Sequence, residues 1–292
     1  MSPPPPTPPT PPTRLHPLTP WLRRISNRLT RWTVLHHGSA FPIYVIAEYP
    51  KSGGTWLGRM VADTLRLPFP RHSNMPIAMT SVVHNHWKYD PKLNERTIYL
   101  YRDGRDVMTS FYFHRMRWIA NGAAHYRKRA ALYEGLFGKG YDPADSKKHM
   151  ARFIEHEFAN PRDCRQNWRD HLSEWFGPGD DATGRPGIAY VSYEQLREDC
   201  AEHLARVCQR VSGKAPDPWL VEKAVESWSM QRATGRKPGQ ESRGELVRKG
   251  VVGDWVNHFS KEAAELFDQL AGDVLVRLGF EADRNWVDRH EL

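Results

Sequence analysis

Polar residues that could bind an anion stand together where a predicted strand meets a predicted helix. Residues 41–49 form an apolar run typical of a buried strand, and a helical pattern starts at Gly54. The junction consists of Tyr49, Pro50, Lys51, Ser52, Gly53, Gly54, Thr55 and Trp56. Glycines let backbone N–H groups close on an oxyanion, the helix dipole favours negative charge, and the lysine neutralises it. We therefore predict an anion site, the alternative being an ordinary tight turn; a Walker A loop is excluded because its lysine follows the glycines.

A second candidate anion site follows the predicted strand at residues 97–102. Arg102 ends that strand, and Ser110 lies eight residues later, about two turns into the next helix. Ligands bind beyond the carboxyl ends of strands in open α/β sheets, and a guanidinium with a hydroxyl suits a phosphate monoester. The alternative is that the charged residues from Arg102 to Asp106 form a surface ion-pair cluster.

The elements that position these residues alternate between strand and helix. Predicted strands at residues 41–49, 81–84, 97–102 and 187–192 interleave with predicted helices at 54–65, 105–117, 193–209 and 261–278. This alternation predicts an α/β fold: a single domain with a central, mostly parallel β-sheet flanked by helices, and a P-loop-like strand–loop–helix unit. Residues from about 115 to 162 are interpreted as a helical cap insertion, and residues 229–258 as a long functional loop.

The N-terminal residues differ in composition from the rest of the chain. Residues 1–20 hold ten of the 23 prolines and are predicted to form a disordered arm. In residues 21–38, large apolar side chains recur at helical spacing between arginines: Trp21, Leu22, Ile25, Leu29 and Trp32. This pattern predicts a basic amphipathic helix that packs its Trp/Leu stripe on the domain, the alternative being contact with a membrane surface or a partner.

Charge and cysteine content limit the class of protein. The 292 residues carry a net charge of +8, but residues 1–47 contribute five of those charges and contain no Asp or Glu, so the basicity is local and does not indicate nucleic-acid binding. No apolar run approaches the roughly 20 residues of a membrane span, and no signal peptide is recognisable. Three cysteines without a CxxC pair argue against a disulfide framework, so we expect a cytoplasmic protein. No cluster with metal-ligand spacing is found in the sequence, and no metal is expected.

Three segments together resemble the cytosolic-type sulfotransferase family. YPKSGGTW at residues 49–56 is similar to that family's 5′-phosphosulfate loop, usually YPKSGTTW, and YRDGRDVMTSFYF at 101–113 is similar to its 3′-phosphate element. RKGVVGDW at 248–255 is similar to its RKGxxGDW segment. The motifs occur in the family's order, and the sulfotransferase domain is expected to cover residues 39–285.

The resemblance implies a donor, 3′-phosphoadenosine 5′-phosphosulfate (PAPS), with the product PAP. It assigns the 5′-phosphosulfate to Lys51, Ser52, Gly53, Gly54 and Thr55, and the 3′-phosphate to Arg102, Ser110, Arg248, Lys249 and Gly250. It assigns the adenine to Trp56, Tyr193 and Trp228. The segment marked by Trp168, His171 and Trp175 resembles a family helix that we interpret as structural.

Two positions depart from the family pattern. Gly54 stands where the family commonly has Thr, and HNHWKYD at residues 84–90 stands against the usual KTHxPYD. In that register His86 takes the place of the catalytic histidine and His84 that of the lysine. A neutral imidazole with a pKa of about 6.5 suits a general base, so the resemblance assigns that role to His86. The alternatives are that His84 is the base or that one or both histidines are structural. The resemblance assigns neutralisation of the leaving oxygen to Lys51.

Two alternatives to sulfuryl transfer fit the same residues: a P-loop kinase-like nucleotide enzyme, and a non-catalytic protein that binds a nucleotide or a polyanion. The acceptor is expected to be a hydroxylated small molecule, a glycan or a lipid head group, chosen by the cap together with residues 69–90 and 229–247. No nucleic-acid-binding signature is present in the sequence. A homodimer and peripheral membrane contact through residues 21–38 are further hypotheses.

Overall fold

Four parallel strands form the central sheet of the protein, for which a computed structural model describes residues 19–38, 40, 43–70, 80–120, 122, 127–161, 164–179, 182–242 and 248–290. The strands are β1 (Ile43–Glu48), β2 (Ser81–Asn85), β3 (Thr97–Tyr101) and β4 (Ile188–Ser192), in the order β2-β1-β3-β4. Ile46 of β1 is in register with His84 of β2 and Ile98 of β3. The parallel, helix-covered sheet confirms the predicted fold class. Its strands all end at the same edge, and both candidate anion segments begin there.

Helices cover both faces of the sheet. In chain order they are α1 (Thr19–His37), α2 (Gly54–Leu65), α3 (Gly104–Ala120), α4 (Arg127–Phe137), α5 (Ser146–Ala159), α6 (Trp168–Phe176), α7 (Tyr193–Glu198), α8 (Cys200–Ser212), α9 (Pro218–Ser227), α10 (Met230–Thr234), α11 (Lys261–Arg277) and α12 (Trp286–Arg289), with a 3-10 helix at Asp254–Asn257. Val45 and Tyr99 face a core shared with α3, α5, α6 and α11, whereas Ile46 and Ile98 face a core shared with α2, α8 and α9. The inner strands are therefore buried on both faces, which explains their continuous apolar sequences.

Some predicted elements differ from those in the structure. The helix predicted at residues 193–209 is interrupted at Asp199, whose side chain accepts a hydrogen bond from the Glu202 N–H and caps α8. The expected loop at 229–258 contains α10 and the 3-10 helix, and the sequence did not predict α9. Among the described residues of the cap region, 115–162, the chain forms the end of α3, then α4 and α5.

The first helix contacts the domain through its small and polar face. Ser26, Thr30 and Val34 are buried there. Four large apolar side chains of α1 are at least half exposed: Trp21, Leu22, Leu29 and Trp32. The prediction that the Trp/Leu stripe packs on the domain is therefore wrong.

The surface beneath α1 explains this orientation. Nε1 of Trp87 donates to Oδ1 of Asn27 over 3.2 Å, and Nη2 of Arg31 donates to the Lys88 carbonyl over 3.5 Å. A largely buried indole N–H needs a hydrogen-bond acceptor, which an apolar stripe cannot supply. α1 begins at Thr19, and residues 1–18 of the predicted arm lie outside the described residues. Within the described part of the chain, no helix is long and apolar enough to cross a membrane.

Candidate anion-binding and catalytic site

The loop between β1 and α2 turns sharply so that its backbone reaches the N-terminus of the helix. Lys51 and Gly53 both have positive φ angles, 77° and 110°, and the Ser52 N–H donates to the Tyr49 carbonyl over 3.2 Å. The φ angle at position 53 favours glycine, and a Cβ there would lie 3.1 Å from the Tyr193 ring, a tight contact. Lys51 adopts a conformation that is uncommon for a residue with a side chain, as is frequent at binding sites.

Two groups in this loop have the properties expected of anion ligands. The Ser52 side chain is buried, and its hydroxyl has no hydrogen-bond partner among the described residues. Burial lowers the pKa of Lys51 to about 8; Glu48 opposes the shift, and Arg117 and Arg102 add to it. A hydroxyl without a partner and an ammonium group destabilised by burial would both be stabilised by a bound anion.

A buried carboxylate, Glu48, joins this loop to the two histidines of β2. Its Oε1 lies 2.9 Å from Nε2 of His84 and 3.8 Å from Nδ1 of His86, while its other oxygen accepts a hydrogen bond from the Gly54 N–H. Burial alone would raise the pKa of the Glu48 carboxyl, but His84, His86 and the Gly54 N–H lower it below its ordinary value. The Glu48 carboxylate is therefore ionised at neutral pH. It occupies the N–H group of Gly54, a residue that the family resemblance assigned to the 5′-phosphosulfate.

The same contacts account for the glycine at position 54. A Cβ there would lie 2.5 Å from Nε2 of His84 and 2.6 Å from Cδ of Glu48, closer than side-chain atoms can approach. Glu48 thus links Gly54, where the family has threonine, to His84, where the family has lysine. The two departures noted in the sequence form one local arrangement.

The ligand atoms of Glu48, His84 and His86 lie within 4.8 Å of one another, a spacing that a metal ion could bridge. The sequence did not reveal this group because Glu48 is separated from His84 by 36 positions. In the structure the carboxylate already accepts hydrogen bonds, and Nδ1 of His86 lies 3.2 Å from the Glu48 carbonyl.

Arg102 connects the three candidate segments. Its Nη1 donates to the Lys51 carbonyl over 3.5 Å, and its Nη2 donates to the Val251 carbonyl over 3.1 Å and to Oδ2 of Asp106 over 3.2 Å. Its Nε is buried and has no partner in the described residues. Asp106 also accepts from the N–H groups of Gly253 and Trp255, at 2.9 and 3.1 Å. The structure therefore brings residues 101–113 and 248–255 together beside Lys51.

The basic pair of the C-terminal segment converges on a second carboxylate. Nη2 of Arg248 and Nζ of Lys249 both donate to Asp254, the latter over 2.5 Å, and His258 lies 3.2 Å from the same carboxylate. Burial would raise the pKa of Asp254, but hydrogen bonds from His258, Lys249 and Arg248 lower it well below its ordinary range. Asp254 thus orients the Arg248 and Lys249 side chains, and a bound phosphate would contact the same two side chains.

The three aromatic residues assigned to adenine also lie together. The rings of Trp56 and Tyr193 meet edge to face at 5.8 Å, and Nε1 of Trp56 donates to the Trp228 carbonyl over 2.9 Å. Arg102 lies over the Tyr193 ring at 4.2 Å, and Arg59 lies over the Trp228 ring at 4.4 Å. The shared location supports a stacking site, with one face of each of these two rings already occupied by a guanidinium.

The remaining predicted ligands lie around this centre with fewer contacts. Thr55 is half-buried in the first turn of α2, and Ser110 is half-buried in α3 without a hydrogen bond to Arg102 or Lys51 in the described ranges. Gly250 has a φ of 64°, and a Cβ there would lie 2.6 Å from Sδ of Met230. Glycine at this position lets the backbone turn close to α10.

Helix α6 contacts both the backbone of Arg102 and the segment that follows His86. Nε1 of Trp168 donates to the Arg102 carbonyl over 3.1 Å, whereas Nε1 of Trp175 donates to the Trp87 carbonyl over 3.0 Å. His171 lies between them, 2.8 Å from the Tyr99 hydroxyl and 3.2 Å from the same Trp87 carbonyl. The helix therefore fixes the backbone of Arg102 and the segment that follows His86.

Sequence reasoning missed three residues of the site: Glu48, Asp106 and His114. Glu48 is the only charged residue in the apolar run 41–49, and that was its available signal. Asp106 was grouped with the ion-pair alternative. His114 is half-buried; burial, Lys51 and neighbouring arginines lower its pKa to about 3, which keeps its imidazole neutral.

This chain is similar to known sulfotransferases. A family model described as "Sulfotransferase domain" matches residues 66–279, which include His86 and Arg102 but begin after the loop 49–56. The chain is 26% identical to human sulfotransferase 2B1 over 259 residues, covering 77% of this chain and 63% of that protein, less than two thirds of its length. It is 23% identical to mouse sulfotransferase 1E1 over 268 residues, covering 77% of this chain and 80% of that protein.

Two solved structures have folds similar to that of this chain. Mouse sulfotransferase SULT7A1, complexed with PAP, matches with a TM-score of 0.55 and 16% identity over 91% of this chain and 94% of that chain. Retinol dehydratase, in complex with androsterone and PAP, matches with a TM-score of 0.53 and 16% identity over 85% of each chain. At this level of identity the likeness concerns the fold.

Proposed function

Since the chain belongs to the sulfotransferase domain family, we propose that it transfers the sulfuryl group of PAPS to an acceptor hydroxyl, with His86 as the general base. That it is a PAPS-dependent sulfotransferase follows from the family and from the PAP-bound proteins that share its fold. The observation that best supports donor binding is the buried, unpartnered hydroxyl of Ser52 beside Lys51. Such a group costs about 1–3 kcal/mol unless a ligand satisfies it.

The residues present fit the two charged ends of PAPS, which supplies the sulfuryl group when bound. Lys51, Ser52, Gly53 and Thr55 would hold the 5′-phosphosulfate, and Gly54 would contribute by lacking a Cβ, since its N–H is donated to Glu48. The 3′-phosphate would be held by Arg102, Ser110, Arg248, Lys249 and Gly250, and the adenine by Trp56, Tyr193 and Trp228. The unpartnered Nε of Arg102 supports the assignment of Arg102 to the 3′-phosphate.

The environment of the two histidines supports His86 as the base. Nδ1 of His86 lies 3.2 Å from the Glu48 carbonyl, which only accepts, so Nδ1 carries a proton and, in the neutral imidazole, Nε2 keeps a lone pair. The His86 side chain is 36% exposed, whereas that of His84 is 5% exposed and its Nε2 contacts Glu48. Nε2 of His86 would take the proton of the acceptor hydroxyl as the acceptor oxygen bonds to sulfur.

Lys51 would neutralise charge on the leaving oxygen. With a pKa of about 8, its ammonium group is protonated at neutral pH and loses its charge more readily than an exposed lysine. It can therefore stabilise negative charge as that charge develops and give up a proton late in the transfer. No Walker lysine follows the glycines, which leaves the kinase-like alternative without its phosphate-binding group.

The acceptor proposed is a hydroxylated small molecule, with a glycan or a lipid head group as further members of the class. Androsterone and retinol occupy retinol dehydratase structures that share this fold, which supports a compact alcohol. Arg117 contributes to the lowered pKa of Lys51, and Lys51 and Arg117 both contribute to the lowered pKa of His114. Arg117 and His114 would border the acceptor. Tyr133 and Phe137 instead stack on each other within the cap at 5.5 Å.

We also propose a cytoplasmic location, with which the free thiols of Cys164, Cys200 and Cys208 agree.

Two measurements on the purified full-length chain test this function. Calorimetry should detect PAP binding that is much tighter than binding of AMP, which lacks the 3′-phosphate. Sulfur-35-labelled PAPS, incubated with a panel of phenols, sterols, sugars and lipids in EDTA and without Mg²⁺, should label at least one acceptor. Equal affinity for PAP and AMP, or turnover that requires Mg²⁺ and ATP, would refute the proposal and favour a kinase-like enzyme.

A further inference from the structure

One face of α1 presents large apolar side chains to solvent. Six large hydrophobic residues of the described chain are strongly exposed, and four of them lie on this helix: Trp21 (59%), Leu22 (55%), Leu29 (50%) and Trp32 (54%). Their spacing places all four on one side of the helix, opposite the buried Ser26 and Thr30. A continuous apolar stripe of this kind on a monomer marks an interaction surface.

The charge around the stripe is positive. Residues 1–47 contain five arginines and no acidic residue. Arg24 and Arg28 are exposed and form no ion pair with an acidic side chain in the described part of the chain. Arg31 is turned toward the domain, where it lies 3.9 Å from Asp90. The apolar stripe is thus bordered by arginines that are available to an anionic surface.

The helix is already folded and attached in this orientation. Its opposite face is held by Val34 and by the hydrogen bond between Trp87 and Asn27. Docking would therefore not incur the cost of ordering a helix, and the stripe would meet a surface as a preformed unit. α1 contacts the segment immediately after His86, which places the helix beside the carboxyl end of β2.

Physical considerations select one occupant for this stripe. In a symmetric dimer whose two stripes face each other, the Arg24 and Arg28 side chains of both copies would come together without acidic partners. A bilayer that contains anionic lipid satisfies both features, because tryptophan prefers the interface and arginine pairs with lipid phosphates. We propose that α1 is a peripheral membrane anchor that inserts its Trp/Leu stripe into the head-group region of an anionic bilayer.

This inference does not depend on the proposed function, because vesicle binding can be measured without turnover. The full-length protein should co-sediment with vesicles of 30% phosphatidylglycerol in phosphatidylcholine and much less with pure phosphatidylcholine, and salt should weaken the binding. Replacing the stripe by serine (Trp21→Ser, Leu22→Ser, Leu29→Ser, Trp32→Ser) should reduce partitioning by at least about tenfold. The variant Arg24→Glu/Arg28→Glu should also bind roughly tenfold or more weakly.

The control is Trp219→Ser, since Trp219 is equally exposed (56%) but lies on α9. It should partition like the wild type, and circular dichroism should show that the stripe variant keeps its fold. Three results would overturn the proposal: no binding to anionic vesicles at low salt, unchanged binding of the folded stripe variant, or a solution dimer in sedimentation velocity that the stripe variant abolishes.

Discussion

Oε1 of Glu48 lies 2.9 Å from Nε2 of His84, and both side chains are almost completely buried beside the candidate anion-binding loop. The Glu48 carboxylate also accepts from the first N–H of α2, so it connects the loop to the strand that carries His86. This pair unites two departures from the family pattern, the glycine at 54 and the histidine at 84. It also places a buried negative charge near Lys51, in addition to Asp106, which pairs with Arg102.

A side chain at position 54 should conflict with this pair. Gly54→Ala would place a Cβ 2.5 Å from Nε2 of His84, and we expect a loss of about 1–3 kcal/mol in the free energy of unfolding. Urea denaturation measures the change. In a Glu48→Ala background, part of this clash is removed. Gly54→Ala should therefore reduce the free energy of unfolding by less in that background than in the wild type.

Gly135→Ala in α4 is the matched control. A Cβ at position 135 meets nothing within 4 Å, so the same change should stabilise the helix by roughly 0.5–1 kcal/mol. If Gly54→Ala were as stable as Gly135→Ala, the steric relation between Gly54 and the Glu48–His84 pair would be wrong.

The ionised Glu48 should make stability depend on pH. Its pKa in the folded protein is below the ordinary value of 4.5, so its contribution is present above that pH and is lost as pH falls through the lowered pKa. Glu48→Gln should cost about 1.5–3 kcal/mol at pH 7, and the difference from wild type should shrink toward pH 3. Urea unfolding at several pH values measures this; equal stability of the two proteins at pH 7 would contradict the role of the carboxylate.

Donor affinity should follow the protonation of Lys51. Its pKa is about 8 in the free protein, and because a bound anion favours the charged form, PAP affinity should fall as pH rises through 8. Calorimetry between pH 7 and 9.5 avoids the phosphate titration near pH 6. Lys51→Arg should keep its affinity to higher pH because arginine stays charged. A pH-independent affinity of the wild type across this range would exclude Lys51 as a ligand.

Arg102 should distinguish nucleotides by their 3′-phosphate. Arg102→Ala should weaken PAP binding by about 1.5–3 kcal/mol, the usual value of a charged hydrogen bond, and leave AMP binding little changed. Arg169→Ala is a suitable control, since Arg169 forms an exposed ion pair with Asp273 and is not assigned to the nucleotide. Parallel losses for PAP and AMP in the Arg102 variant would indicate a general structural effect instead of 3′-phosphate recognition.

Local patterns predicted the parts of this fold that depend on neighbouring residues. The bounds of α2 and the parallel sheet follow from apolar runs and from the glycines of the loop. The orientation of α1 could not be predicted, because it depends on the indole N–H of Trp87, far away in the sequence. Glu48 was missed for the same reason: its partner His84 belongs to another strand, and only the register of β1 with β2 brings them together.

The rate of sulfuryl transfer by the His86→Ala variant tests the central claim most directly. In single-turnover experiments with labelled PAPS and an acceptor found in the panel, the variant should be slower than wild type by about 10²- to 10⁴-fold. Its affinity for PAP should be unchanged, because His86 is not among the residues assigned to the nucleotide. Those residues lie in the loop 49–56, in the segment 248–255, and at Arg102, Ser110, Tyr193 and Trp228. A near-normal rate in His86→Ala, with wild-type PAP affinity, would contradict the assignment of His86 as the general base.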